Sequence, residues 1–291
     1  MNKILLFLMA AALLVSCNPK KPKQETAGKK VITVSILPQR TFVEKIAGDE
    51  YEINVLLPPG VNPHSFEMLP AQLKSISKSV LWFRIGHIGF EYSWKDKIIQ
   101  TNTSMKVVDV SEGLDLIHED EEQHGDHTHV GGIDPHIWIS PQRVKQIAER
   151  MAGELTLLNP ANGPVYQKNL ETFLQEIDAL DAQIKNELKP FEGRKFITFH
   201  PSLSYFAKDY GLEQLTLEFG GKEPTPQHMA EVVEMARKEN IKAIYIQSEF
   251  DKDHATVFAK EIGGTVIQVV PLDPNWAENL QFLTRVLVEN F

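Results

Sequence analysis

PVYQKNLETFLQEIDALDAQIKNEL, residues 164–188, sets the frame for the rest of the chain. Its apolar residues Tyr166, Leu170, Phe173, Ile177, Leu180, Ile184 and Leu188 recur every three or four positions, the spacing of one face of a helix. Asn162 is placed to cap it, Pro164 suits its first turn, and Pro190 ends it. The stretch predicts one helix of about 25 residues, roughly 37 Å long at 1.5 Å per residue. That is enough to cross a whole domain.

Strand and helix signals alternate on both sides of it. Upstream, residues 31–37, 51–57, 79–85 and 106–110 are Val-, Ile- and Leu-rich runs, as strands covered on both faces should be. Helical patterns begin at Phe42, closed by Gly48, and run over 141–158. Downstream, 195–199, 212–219, 242–246 and 265–272 read as strands, and 225–239 and 252–262 as helices. The simplest architecture is α/β, with two lobes over 31–160 and 191–291, each holding a parallel-type sheet, joined by the long helix within 161–190. A single doubly wound domain with an insertion is the alternative. The restart of the alternation after Pro190 favours two lobes.

The N-terminus predicts export. Lys3 gives a short positive start, residues 4–15 are almost wholly apolar, and the run breaks at Val15-Ser16-Cys17. About 20 residues are needed to span a bilayer. A shorter run of this kind reads as a signal peptide, residues 1–16. The cysteine directly after Leu14-Val15-Ser16 resembles a bacterial lipoprotein signal, with Cys17 the acylated first residue of the mature chain. The alternative is an ordinary signal with a chance cysteine. Residues 17–30, rich in Lys, Pro and Gly, read as a tether to the membrane. The body would then face the periplasm or the exterior.

The formal charge is −9, and losing Lys3 with the signal makes it one unit more negative. With no basic cluster on the body to neutralise phosphates, nucleic-acid binding is not expected. Cys17 is the only cysteine, so an internal disulfide and a thiolate metal site are both excluded. Any metal must be held by His, Asp or Glu.

Four such residues stand out. His64 follows the breaker Pro58-Pro59-Gly60 in Asn62-Pro63-His64-Ser65-Phe66-Glu67, and His136 lies in Asp134-Pro135-His136-Ile137-Trp138. His200 ends a predicted strand before Pro201, and Asp273 ends another before Pro274. Three of the four lie at or just beyond carboxyl ends of strands, where ligands collect in open α/β sheets. Two come from each lobe, so a metal held by all four would sit in the interlobe cleft. The neighbouring prolines restrict the backbone and help fix each side chain. A lone histidine at a strand end is more often a structural residue, so the weight rests on the four together.

These fragments, with Phe199-His200 and Leu272-Asp273-Pro274, resemble the ligand motifs of the zinc and manganese solute-binding proteins of ABC importers, the ZnuA/TroA-like cluster. The resemblance runs from Val31 to Phe291 and takes in Gly86, Glu91, Glu223-Pro224 and the long helix. It implies a rigid linking helix, a metal between the lobes held by His64, His136, His200 and Asp273, and delivery of that metal to a membrane permease by a monomeric, non-enzymatic carrier. Manganese-type members tend to carry Glu at the third position. His200 there points to Zn²⁺ over Mn²⁺, since imidazole suits zinc and manganese prefers oxygen. Three neutral His and one Asp would give a closed tetrahedral shell around the transported ion.

A second feature lies at residues 118–130. His118, His124, His127 and His129 stand among acidic residues without apolar periodicity, which predicts a mobile loop. Zinc-type members often carry such a loop here, which implies auxiliary metal capture. One departure is Gln247 in Ile246-Gln247-Ser248-Glu249-Phe250, where many members have Glu then Pro; it is not counted as a ligand, and Glu249 is not its replacement. His87 reads as a surface residue, with an outer partner of the cleft as the alternative, and His228 and His254 read as exposed. Trp82, Trp94, Trp138 and Trp276 read as core or lobe-edge aromatics, with Trp138 able to wall the cleft. The competing functions are a manganese or iron carrier on the same scaffold, a zinc-dependent envelope hydrolase, which needs a site open to water, and an adhesin using the metal structurally.

Overall fold

A computed structural model describes residues 28–118, 123–124, 127–128, 132–218 and 224–291. The N-terminal signal and Cys17 lie outside the described residues, as do His129 and Glu223.

The first lobe runs β1 (Val31–Val34), α1 (Leu37–Ala47), β2 (Glu52–Val55), α2 (Pro70–Ile76), β3 (Ser79–Arg84), α3 (Gly89–Thr101) and β4 (Lys106–Asp109). A two-stranded antiparallel hairpin follows, β5 (Gln123–His124) with β6 (His127–Thr128), and then α4 (Pro141–Leu158). The spine is α5 (Gly163–Leu188). The second lobe runs β7 (Lys195–Thr198), α6 (Ser204–Tyr210), β8 (Glu213–Thr216), α7 (Pro226–Lys238), β9 (Ala243–Gln247), α8 (Asp253–Glu261), β10 (Thr265–Val269) and α9 (Trp276–Asn290). No helix of the described residues is long and apolar enough to cross a membrane.

Both main sheets are parallel. The first is ordered β2-β1-β3-β4 and the second β8-β7-β9-β10. The second lobe therefore repeats the strand order of the first. In each, the chain reverses direction of growth between its first and third strands (β1 and β3, β7 and β9), and this switch point opens a crevice at the carboxyl ends.

The seven periodic residues of α5 are the seven it buries: Tyr166, Leu170, Phe173, Ile177, Leu180, Ile184 and Leu188. Fully burying such a side chain contributes roughly 1.5–3 kcal/mol. The helix packs on α1 and α4 of the first lobe and on α9 and α6 of the second. One apolar core consequently runs through both lobes, including Phe42 and Trp82 on one side and Tyr205 and Trp276 on the other. A second core, around Phe258 and Ile244, lies within the second lobe beneath α7 and α8. Lobes that share a core do not swing freely, because close-packed interiors resist graded deformation.

Several boundaries differ from the sequence reading. The expected strand 31–37 stops at Val34, because Pro38 in the first turn draws Leu37 into α1. Asn162 stands at the N-cap position of α5 as expected, but its side chain makes no cap hydrogen bond; its amide donates to Glu50 Oε2 at 2.6 Å. Helices α2, α3, α6 and α9 were not read from the sequence, although α9 carries an apolar face of Trp276, Leu280, Leu283 and Leu287. The stretch expected to be an irregular loop contains the β5–β6 hairpin.

Candidate metal centre

The turn after each strand places the imidazoles. Asn62 Oδ1 accepts the His64 N–H at 2.8 Å and locks the turn that carries His64. Asp134 Oδ1 accepts the His136 N–H in the same way, also at 2.8 Å. His200 lies two residues past β7, where Phe199 N–H still donates to Tyr245 O on β9.

The three rings converge. The centroid separations are 4.6 Å for His64 and His200 and 5.2 Å for His136 and His200. His64 Nε2 and His200 Nε2 are 3.2 Å apart. Two nitrogens bound to one tetrahedral zinc at 2.0–2.1 Å stand about 3.3 Å from each other. The pair thus stands at the spacing of two nitrogens bound to one ion.

Two of the rings are oriented from behind. His136 Nδ1–H donates to Asp134 Oδ1 at 2.8 Å, and His200 Nδ1–H to Glu218 Oε2 at 2.7 Å. All four of these residues are buried. Such carboxylates fix the tautomer, leave Nε2 as a lone-pair donor, and raise its basicity. Burial pulls the Asp134 pKa upward, but the facing His136 and its hydrogen bonds outweigh that, and it lies below the ordinary carboxylate value.

Burial disfavours the charged form of His64 and His200. The His64 pKa is lowered to about 4, first by desolvation and then by its neighbours His200 and His136. That of His200 is lowered too, mainly by desolvation against the raising effect of Glu218. The outer side of His64 meets solvent while Nε2 points into the cluster. Phe250 stacks on His200 at 5.2 Å with rings 22° from parallel, excluding water from that face.

The cavity between the rings is ≈ 20 Å³, bounded also by Trp138, Gln247, Glu249 and Leu272. That is room for a single water-sized body and not for an organic molecule.

Asp273 is placed differently from the three imidazoles. It follows Leu272 but is not part of the cavity wall, and its Oδ1 accepts the Asn275 N–H at 2.7 Å. Of the auxiliary residues, His118 is exposed, with its backbone bridged to Ile133, and His124 and His127 are backbone register partners in the hairpin. His228, read as exposed, is half-buried with Nε2 2.8 Å from Thr216 O, and His87 is half-buried with Nδ1 2.7 Å from the Tyr92 hydroxyl. His254 is exposed. Trp82, Trp138 and Trp276 are buried.

Asp134 was legible as an Asp two residues before a histidine. Glu218 was not, since only the pairing of β7 with β8 brings it to His200, 18 residues away.

Two parallel-sheet lobes packed on one long helix, with an imidazole cluster between them, define a solute-binding protein of the helix-spanned type. A family model, "Zinc-uptake complex component A periplasmic", matches residues 32–289. The chain belongs to that family. It is 27% identical to the high-affinity zinc uptake system protein ZnuA of Bacillus subtilis, covering 89% of this chain and 85% of that one. It is also 27% identical to the zinc-binding lipoprotein AdcA of Streptococcus pneumoniae, over 94% of this chain but only 56% of that longer protein. A ZnuA crystal structure superposes with a TM-score of 0.84 at 36% identity, covering 90% of this chain and 99% of that one.

Proposed function

We propose that this protein captures Zn²⁺ outside the cytoplasmic membrane and hands it to the permease of an ABC importer. The observation that carries this reading is the approach of His64, His136 and His200 from both lobes, two of them backed by buried carboxylates, around a cavity of single-ion size. The names of several relatives support zinc as the cargo, while one relative is named for manganese. The donor set also supports zinc, because three imidazole nitrogens suit zinc better than manganese.

In this reading the three Nε2 atoms bind the ion, and the Nδ1–H groups stay with Asp134 and Glu218. Asp273 is the carboxylate proposed for the fourth position, entering through Oδ2 while Oδ1 remains with Asn275. A closed shell in a cavity this small leaves no place for a hydrolysable substrate, so the function is binding and release without catalysis. The protein acts as a monomer tethered through acylated Cys17. The segment carrying His118, His124, His127 and His129 is proposed as an auxiliary capture site, on its histidine and acid content.

A competition titration of the chain from residue 18 onward tests the reading. Zinc should bind below micromolar concentration and outcompete equimolar manganese. Absence of zinc binding, or retention of full affinity by His136→Ala, would refute the function; manganese winning the competition would refute the metal. Deleting residues 118–130 should leave the tight site intact and remove the weak one.

A further inference from the structure

The chain segments on either side of residues 118–133 lie outside both main sheets. They are joined to each other by Asp134 N–H, which donates to Ile117 O at 3.0 Å, and by the bridge of His118 with Ile133. The second lobe adds a further tie. Tyr205, in the first turn of α6, places its hydroxyl between the two segments. The hydroxyl accepts the Ile117 N–H at 3.0 Å and donates to Asp134 O at 2.8 Å. One side chain of the second lobe thus holds the first lobe at the point where its chain returns toward His136.

Asp134 is the residue behind His136. Its Oδ1 accepts both the peptide N–H and the Nδ1–H of His136, each at 2.8 Å. The peptide N–H of Asp134 is engaged by Ile117, its carbonyl by Tyr205 and its carboxylate by His136. Tyr205 in turn stands five residues after His200. Its bond to Asp134 therefore links the loops of His136 and His200, whose rings are 5.2 Å apart. Tyr205 is itself clamped. It is fully buried, and the Arg143 guanidinium of α4 lies 4.4 Å from its ring centre. That guanidinium donates to Asp209 of α6 at 2.9 Å and to Asp115 O at 3.0 Å. A hydroxyl on a clamped ring delivers its hydrogen bonds to one place, and a shift of Asp134 passes directly to the imidazole it orients.

We infer that Tyr205 is a positioning residue of the metal site: through its bond to Asp134 O it sets the carboxylate that orients His136, and so fixes His136 relative to His200. The inference rests on the zinc-binding reading above and leaves its ligand set unchanged. Tyr205 acts two partners back from the ion, by way of Asp134 and then His136. Donors supplied by separate lobes need such a tie, because a metal site tolerates only about 0.5 Å of error in the placement of its ligands.

The test uses the mature chain, with zinc affinity measured by chelator competition and the Co²⁺ complex followed by its ligand-field absorption. Tyr205→Phe keeps the ring beside Arg143 and removes only the hydroxyl. It should weaken zinc by about tenfold, the lower end of the range for residues that orient a ligand, and alter the Co²⁺ spectrum. Tyr210→Phe is the control. It removes a hydroxyl of the same helix, one that donates to Asp181 on α5 at 2.7 Å, and should change neither readout. In an Asp134→Ala background Tyr205→Phe should cost less than about twofold, as expected of two residues acting in series. Three results would each overturn the inference: an unchanged affinity and spectrum for Tyr205→Phe, an equal loss in both backgrounds, or a matching loss in Tyr210→Phe. In any of these cases the zinc-binding reading stands if His136→Ala abolishes binding, and itself fails if His136→Ala is silent. Should Tyr205→Phe not fold, the unaltered protein decides. Coupling is reciprocal, so zinc should slow hydrogen exchange of the Ile117 N–H more than that of the Ile32 N–H in β1. Equal slowing of the two would overturn the inference.

Discussion

His64 Nε2 and His200 Nε2 meet at 3.2 Å although the residues are 136 apart in sequence and belong to different lobes. The contact brings two of the proposed metal donors together from opposite lobes. Nothing local produces it: it depends on the turn after β2, the end of β7, and the shared core that fixes one lobe against the other.

Each member of the cluster should be indispensable. His64→Ala, His136→Ala and His200→Ala are each expected to lower zinc affinity by more than a hundredfold, since a two-nitrogen remnant cannot make a closed shell. Glu218→Ala should lower it by about 10–100-fold, the range for residues that orient a ligand. Chelator competition checks both, and equal losses for Glu218→Ala and His200→Ala would show that Glu218 does more than orient.

Stability should fall with acid over a defined window. The folded-state pKa of His64 is about 4, below the ordinary imidazole value of 6.5, and that of His200 is lowered in the same direction. Above pH 6.5 both states hold these rings neutral and the term is absent. Between 6.5 and about 4 the unfolded chain takes up protons that the folded chain refuses, so stability is lost as pH falls. Urea denaturation of the metal-free protein at pH 7 and pH 5 should show the loss, and the difference should shrink in His64→Ala/His200→Ala.

Trp138 and Trp276 tie the ligand loops together. Trp138 Nε1–H donates to Pro271 O at 2.9 Å, and Trp276 Nε1–H donates to Trp138 O at 2.6 Å. The first bond joins the loop of His136 to the loop before Asp273. Trp138→Phe removes a buried donor, which should reduce stability by about 1–3 kcal/mol. Zinc release should quicken with all three imidazoles still present; stopped-flow transfer to a chelator measures it.

Glu91, whose carboxylate accepts from Ile85 N–H and Gly86 N–H, is a stability element of the first lobe. Glu91 is fully buried and also pairs with Arg84 at 3.2 Å. Burial raises its pKa against the Ser35 hydroxyl, Arg84 and two backbone N–H donors. Glu91→Ala would leave a buried guanidinium with Asp109, at 3.4 Å, as its remaining carboxylate. The expected cost is about 3 kcal/mol, read by denaturant unfolding. Zinc affinity of the folded fraction should be unaffected.

The shared core predicts little movement on loading. Both lobes pack on α5, and Thr41 Oγ1–H donates across the cleft to Pro274 O at 2.5 Å. Solution scattering of metal-free and zinc-loaded protein should give the same radius of gyration; a contraction of several ångströms would refute the rigid spine.

Much of this was legible in the sequence because the signals are local. The apolar face of α5 was named residue by residue, since a 3.6-residue period converts directly into a buried stripe. Val- and Ile-rich runs marked both parallel sheets, and breakers beside histidines marked the turns at their carboxyl ends. Short helices such as α2 and α6 escaped because seven residues hold too few periods to register.

What the sequence by itself determined was the two-lobed α/β plan, the spanning helix and three histidines at turns. The tertiary structure alone decided which groups surround the cavity. Asp273 and Gln247 look alike in the chain, each a polar residue at the end of a strand, yet one is turned to its own loop and the other lies unpartnered in the cavity wall. Glu218 reached His200 only through strand pairing. Backbone pattern is written in neighbouring residues, whereas a coordination shell is assembled from side chains whose distances are set by how the sheets and the long helix pack.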